Sequence, residues 1–384
     1  MSLFAQELNR IWRPGIFAAL LVSGLVFWFL VGKGPGIAVF PNGSQSTFHF
    51  ELAQEWADRF GASIDDAEMR EVRTEARDAE AAFESDLATL DGAAERDLRT
   101  RADFDAFSSE VLDREYGVQQ TGGEPDDALK EDIALSERIL ALPSHERAYE
   151  MDLWLQALEG EGGARGYLSH MWLQDIETYL NRLSTWLVAA PMFVMAPVAA
   201  SDQLHRMRAV QWSSRIGRKV FGAQLAAAVL SAVFVLVASV LAWAVPLAGA
   251  GIGALMDCVI TGPLSGYACG WDMTLGAYVA ARVTLMASLG LAAGILAFVL
   301  ARMSAGYVGM LVRVVPVCAG LGWLLAPVLF DHALCERSVP GSANPFSTGW
   351  LPVGGEAMVV AAVATVAIAT CAASCMRELR RDVR

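Results

Sequence analysis

A chain of 384 residues that is 54% hydrophobic and only 18% charged is too apolar for an ordinary water-soluble enzyme, and its formal charge of −13 is unevenly spread. Residues 33–183 hold 33 of the 42 acids and 14 of the 29 bases, a net of −19, while the rest carries a net of +6. This division, with a mean hydropathy of +0.39, excludes most enzyme readings and points to a membrane part joined to one acidic, soluble part.

Residues 1–13 place Phe4, Leu8, Ile11 and Trp12 at helical intervals. Two readings stand: an interfacial helix that turns at Pro14 into a first span, or a frayed tail. A bilayer core of about 30 Å needs roughly 20 mainly apolar residues in a helix. Apolar runs at 14–32, 183–200, 220–250, 274–300, 314–330 and 355–376 give six spans, TM1 to TM6. No small-x-small cleavage site follows the first run, so an uncleaved span is expected there.

Between TM1 and TM2 lies an acidic helical insert, 33–182. It opens on Gly34, Pro35, Gly36, Pro41, Asn42 and Gly43, all turn formers. Val72, Ala76, Ala79, Phe83, Leu87, Leu90, Ala94 and Leu98 then recur at steps of three and four. They predict one long amphipathic helix whose apolar ridge needs a partner. Leu129, Ile133, Leu140 and Leu142 mark a second helix stopping near Pro143. Ala148, Met151, Leu155 and Leu158 mark a third, and a last helix runs from about Tyr167 into TM2. The insert reads as an antiparallel helical bundle or stalk. The fold class is therefore all-α: a polytopic membrane protein with six transmembrane helices and a helical extracytoplasmic insert.

Orientation follows from the short loops. The segment 201–219 carries Arg206, Arg208, Arg215, Arg218 and Lys219 against Asp202. The loop 301–313 holds Arg302 and Arg313, and the tail 377–384 holds Arg377, Arg380, Arg381 and Arg384. In a six-span alternation these fall on the same side as Arg10 and Arg13. Basic short loops stay inside, which puts both termini in the cytoplasm. The insert and the loops 251–273 and 331–354 then lie outside. The expected location is the bacterial cytoplasmic membrane, multi-pass.

Chemical motifs are scarce. No phosphate-binding Gly-rich loop ends in Lys-Ser/Thr, so no ATP-hydrolysing engine is visible in this chain. His49, His145, His170, His205 and His332 are far apart in sequence, and no metal or other cofactor is expected. No nucleic-acid partner and no catalytic residue are expected either. Cys258, Cys269 and Cys335 fall outside, where a Cys258–Cys269 or a loop-to-loop disulfide is chemically possible and at least one of the three is left free or intermolecular. Pro191 and Pro197 each remove a donor from TM2, so that either the span is kinked or Pro197 ends it, and Gly290 and Gly294 make a small-xxx-small pair in TM4. Arg282 lies about eight residues into the TM4 run. Either it lines a polar cavity or substrate path, with Asp257 and Asp272 as outer-side partner candidates, or it sits at the headgroups.

The loop 202–219 reads Asp202-Gln203-Leu204-His205-Arg206-Met207-Arg208, then Gln211-Trp212-Ser213-Ser214-Arg215-Ile216-Gly217-Arg218-Lys219. It resembles the permeases of the ABC-2 exporter class (type V exporter-like transmembrane subunits), in which an acidic residue opens a short amphipathic helix before the chain re-enters the membrane. The six-span order and the large outer loop after the first span share that layout. Asp202 departs from the commoner Glu at its position, and Gln211 stands where related loops carry an acidic or small residue.

The resemblance implies a permease subunit that works as a homodimer or with a related permease, beside a separate ATP-binding subunit and among membrane lipids. Asp202 would open the coupling helix. Met207, Val210 and Trp212 would supply apolar contacts to the ATPase, and Arg206, Arg208 and Arg215 polar ones. Spans one, two and five would move at the dimer interface, and ATP hydrolysis would occur in the partner. The competing reading is a membrane-anchored scaffold or sensor whose outer helices bind a partner.

Overall fold

In a computed structural model the chain is all-α, and the described residues are 3–30, 44–159, 165–204, 220–262, 264–265, 267–268, 273–304, 306–330, 334, 336–337 and 354–380. Cys269, Asp272 and residues 205–219 lie outside them. The chain divides into two compact units, Met1–Ala62 with Leu168–Arg384, and Ser63–Tyr167.

The first unit contains α1 (Leu3–Ile11), α2 (Pro14–Leu30), α3 (Ser44–Phe60), α8 (His170–Leu204), α9 (Val220–Gly249), α10 (Leu275–Arg302), α11 (Tyr307–Cys318), α12 (Ala326–Leu329) and α13 (Gly355–Arg380). Among the described residues, five stretches are long and apolar enough to cross a membrane: Trp172–Ala200, Val220–Gly249, Leu275–Arg302, Tyr307–Leu329 and Gly355–Glu378. The pair α1 and α2, bent by 47°, makes a sixth when it is counted as one span. The bend falls at Pro14, the first residue of α2, where a missing N–H costs a helix nothing. The chain is thus a polytopic membrane protein with a large helical insert.

Helix α1 is docked rather than frayed: Ile11 is buried and Trp12 Nε1 donates to Ser231 Oγ on α9 at 3.0 Å. Helix α8 is continuous for 35 residues despite Pro191 and Pro197. The insert does not form one body. Helix α3 packs with the membrane helices, Phe50 lying 5.4 Å from the Trp172 ring and Gln54 Nε2 donating to the Gly251 carbonyl at 3.1 Å. A two-residue antiparallel pair, β1 (Tyr267–Ala268) with β2 (Glu336–Arg337), joins the loops 250–274 and 331–354 in the register Tyr267↔Arg337.

The second unit is a helical bundle of α4 (Glu68–Ala88), α5 (Arg101–Thr121), α6 (Asp127–Leu140) and α7 (Pro143–Glu159). The predicted stripe is buried through α4 at Val72, Ala76, Ala79, Phe83 and Leu87. The single long helix is not formed. Helix α4 stops at Thr89, whose hydroxyl turns back to the Asp86 carbonyl at 2.8 Å. Gly92 (φ 96°) and Asp97 (φ 55°) then take left-handed conformations no helix contains. Thr100 restarts the chain as α5 with a reciprocal capping box to Asp103. Phe83, Phe104 and His145 meet edge to face at centroid distances of 5.3–6.2 Å. Arg96 and Arg114 both reach Asp132, at 2.5 and 2.9 Å, and tie the turn before α5, α5 itself and α6 together.

Candidate functional site: an apolar groove beside the second span

Helix α8 is held on one side and open on the other. Proline at 191 supplies no N–H to the carbonyl four residues earlier, so the Leu187 carbonyl loses its helical donor. That carbonyl faces Gly290 of α10: a Cβ built at Gly290 would lie 2.1 Å from it. One turn on, a Cβ at Gly294 would lie 2.9 Å from Pro191 Cβ and 2.7 Å from Met195 Sδ. The small-xxx-small pair therefore lets two backbones meet where the proline has disturbed one of them. Glycine Cα–H groups can face such a carbonyl in a way no larger residue can.

The opposite side of α8 borders a cavity of about 1010 Å³. Helix α2 contributes Val26, Phe27 and Leu30, α8 contributes Trp186, Phe193 and Pro197, and the fifth span contributes Met310, Val314 and Trp323. The walls are nearly all apolar, and the volume is that of a site for a drug-sized molecule. Helix α2 buries none of its own side chains. It meets its neighbours through rings, Phe27 with Trp186 at 5.5 Å and Trp28 with Trp243 at 4.7 Å. At Gly24 of α2 a Cβ would stand 3.2 Å from the Trp186 ring.

The fifth span is irregular where it borders the groove. Helix α11 begins at Tyr307, seven residues before the apolar run read from sequence, and gives way at Ala319–Leu325 to a π-helical stretch before α12. Widened turns of this kind shift carbonyl pairing and recur at functional sites. Pro316 and Pro327 flank the stretch, and Gly320 and Gly322 lie within it.

Arg282 stands apart from the groove lining, against the end of the fifth span at Phe330. It is fully buried. Its Nη1 lies 3.4 Å from Glu177 Oε1, and its Nη2 donates to Asn181 Oδ1 at 2.7 Å. It also donates to the Tyr278 hydroxyl and to the Phe330 carbonyl at the end of the fifth span. Tyr278 in turn donates to Glu177 at 2.8 Å. One guanidinium thus joins α8, α10 and the end of the fifth span. The described carboxylate partner is Glu177; Asp257 forms no pair with it, and Asp272 lies outside the described residues. A buried pair satisfied by further hydrogen bonds holds helices together, whereas one stripped of a partner is costly.

No protein-family model, curated protein or solved structure matches the chain.

Of the residues expected to contact an ATPase, Asp202 falls in the last turn of α8. Arg206, Met207, Arg208, Val210, Trp212 and Arg215 lie outside the described residues. Cys258 is buried, with Sγ 3.9 Å from the Gly61 carbonyl, and its candidate partner Cys269 is outside the described residues. Sequence reasoning missed Glu177, Asn181 and Tyr278. One signal was present: Glu177 and Asn181, and Tyr278 and Arg282, are polar pairs four residues apart in apolar helices, and so share a face.

Proposed function

We propose that this chain is the membrane-spanning subunit of an ATP-driven exporter, working as a dimer beside separate ATP-binding subunits. The observation that supports this most is the 1010 Å³ apolar groove bordered by α2, α8 and the fifth span. It joins the spans expected to move against a second permease. One wall is fixed to α10 at Gly290 and Gly294, and the other two are a helix with no buried side chain and a span with a π-helical turn. A rigid wall facing two adjustable ones suits a path that opens and closes. The apolar lining favours an amphiphilic or hydrophobic cargo entering from the bilayer. Asp202, at the end of the rigid wall, begins the loop that would receive the push of the ATPase.

Cys318 lines this groove and provides the test. In membranes holding the intact system, with the other cysteines replaced by serine or alanine, Cys318 is alkylated by a membrane-permeant maleimide with and without trapped nucleotide. The expected result is a several-fold change in rate between the two states. Equal rates in a system that still hydrolyses ATP would remove the groove as the moving part.

A further inference from the structure

A second cavity, of about 570 Å³, lies where α10 ends, α11 begins and α13 ends. Among the described residues its rim carries Arg302, Arg313 and Arg377 against one carboxylate, Glu378. Its floor is Leu296, Leu300 and Val317. Leu296 is six residues back from Arg302 along α10, about 9 Å deeper at 1.5 Å per residue. Cationic rim and aliphatic floor together describe a site for an amphiphile with an anionic head.

The rim is built. Arg302 is buried, and its Nε lies 3.2 Å from Glu378 while its Nη1 donates to Gln224 Oε1 at 3.0 Å. Its guanidinium carbon stands 4.9 Å from the centre of the Phe221 ring. Gln224 passes the link to Glu7 of α1 at 3.4 Å. Glu378 is thereby committed to Arg302. Arg313 is tethered by Nη1 to the Met303 carbonyl at 2.8 Å, and Arg377 is exposed and forms no ion pair among the described residues. Two arginines on different spans therefore face a cavity whose one carboxylate is already engaged.

We propose that this pocket binds one anionic phospholipid, its phosphate between Arg313 and Arg377 and an acyl chain along Leu296 and Val317. A soluble phosphate would satisfy the arginines but would leave the aliphatic floor uncovered. A neutral phospholipid would cover the floor but bring no net charge to the rim. The lipid would fasten α11 to α13 at the basic end of the membrane helices, beside the Glu7–Gln224–Arg302–Glu378 chain. This proposal does not depend on ATP coupling.

The test is native mass spectrometry of the purified full chain in mild detergent, titrated with phosphatidylglycerol, with phosphatidylcholine, or with inorganic phosphate. One phosphatidylglycerol should be retained in preference to phosphatidylcholine, and millimolar phosphate should not displace it. The double variant Arg313→Gln/Arg377→Gln should weaken retention about thirty-fold. That corresponds to about 1 kcal/mol per basic residue at a charged lipid surface, with 1.4 kcal/mol per factor of ten. Arg313→Lys/Arg377→Lys should keep most of it. In the wild-type chain, phosphatidylglycerol with a photoreactive acyl chain should label peptides covering 296–303 and 370–378, an outcome independent of whether the Gln variant folds. Equal retention of both lipids, displacement by inorganic phosphate, or labelling confined to other peptides would overturn the proposal.

Discussion

Gly290→Ala is the sharpest perturbation of the seam that fixes α8. The new methyl carbon would sit 2.1 Å from the Leu187 carbonyl oxygen and 2.9 Å from its carbon. Carbon–oxygen contacts in proteins rest near 3.3–3.6 Å, so one helix must withdraw by about 1 Å. The obstacle is backbone and cannot rotate away. Overpacking of this kind costs about 1–3 kcal/mol, against which alanine returns about 1 kcal/mol of helix propensity. The net expectation is a loss of about 0–2 kcal/mol, toward the upper end because the obstacle is backbone. Gly222→Ala on α9 is the control, because nothing lies within 4 Å of its Cβ position; it should be neutral or slightly stabilising. Reversible unfolding in mixed detergent with sodium dodecyl sulfate reads both. A Gly290→Ala chain as stable as the Gly222→Ala control would refute the close-contact reasoning.

Arg282→Met should destabilise the first unit by about 3–5 kcal/mol by leaving Glu177 buried without its cation, while Glu177→Gln with Arg282→Met should recover much of that, as a double-mutant cycle would show. In the second unit, Thr100→Ala removes the hydroxyl that accepts from the Asp103 N–H, and should cost about 1 kcal/mol, seen as faster amide exchange at the start of α5. The same cap, with its side-chain and backbone hydrogen bonds from Thr100 and one from Arg99, holds the exposed Asp103 carboxyl below its ordinary value of 3.8. Its contribution is present above that value and is lost as the pH falls through the lowered one. Burial among Phe83, Phe104 and Tyr149 pushes the His145 imidazole below 6.5, only partly offset by the Asp105 charge. A lowered folded value means the unfolded chain binds the proton first, so stability is complete above pH 6.5 and declines as the pH falls below it. The amide protection factors of α4 and α7, taken relative to the intrinsic exchange rate at each pH, should fall between pH 7.5 and 5.5, and His145→Gln should flatten that change.

The membrane helices were legible because lipid demands long uncharged runs. The α4 stripe was legible because its period is that of a helix. Its end was not, since Leu90, Ala94 and Leu98 continue the same rhythm past Thr89. There Gly92 and the Thr100–Asp103 cap outweigh periodicity, and both were visible as residue types. The partner of Arg282 was hidden because Glu177 stands 105 residues away, and only folding makes them neighbours. The π-helical turn left no mark beyond glycines and prolines that many spans contain. The groove is a property of three helices together, so no single segment announces it. The Gly290/Gly294 pair was legible as a small-residue seam, but its opposite number, the carbonyl released by Pro191, appears only when α8 and α10 are side by side.

The most direct measurement is a mild-detergent pull-down of the tagged full chain, with ATP hydrolysis measured in the eluate, beside a Met207→Ala/Arg208→Ala/Trp212→Ala variant of equal expression and detergent stability. An exporter subunit predicts a stoichiometric ATP-binding protein and ATP hydrolysis with the wild-type chain, both lost in the variant. Intact, well-folded protein that brings down no ATPase in either form would contradict the exporter reading and favour a membrane-anchored scaffold or sensor.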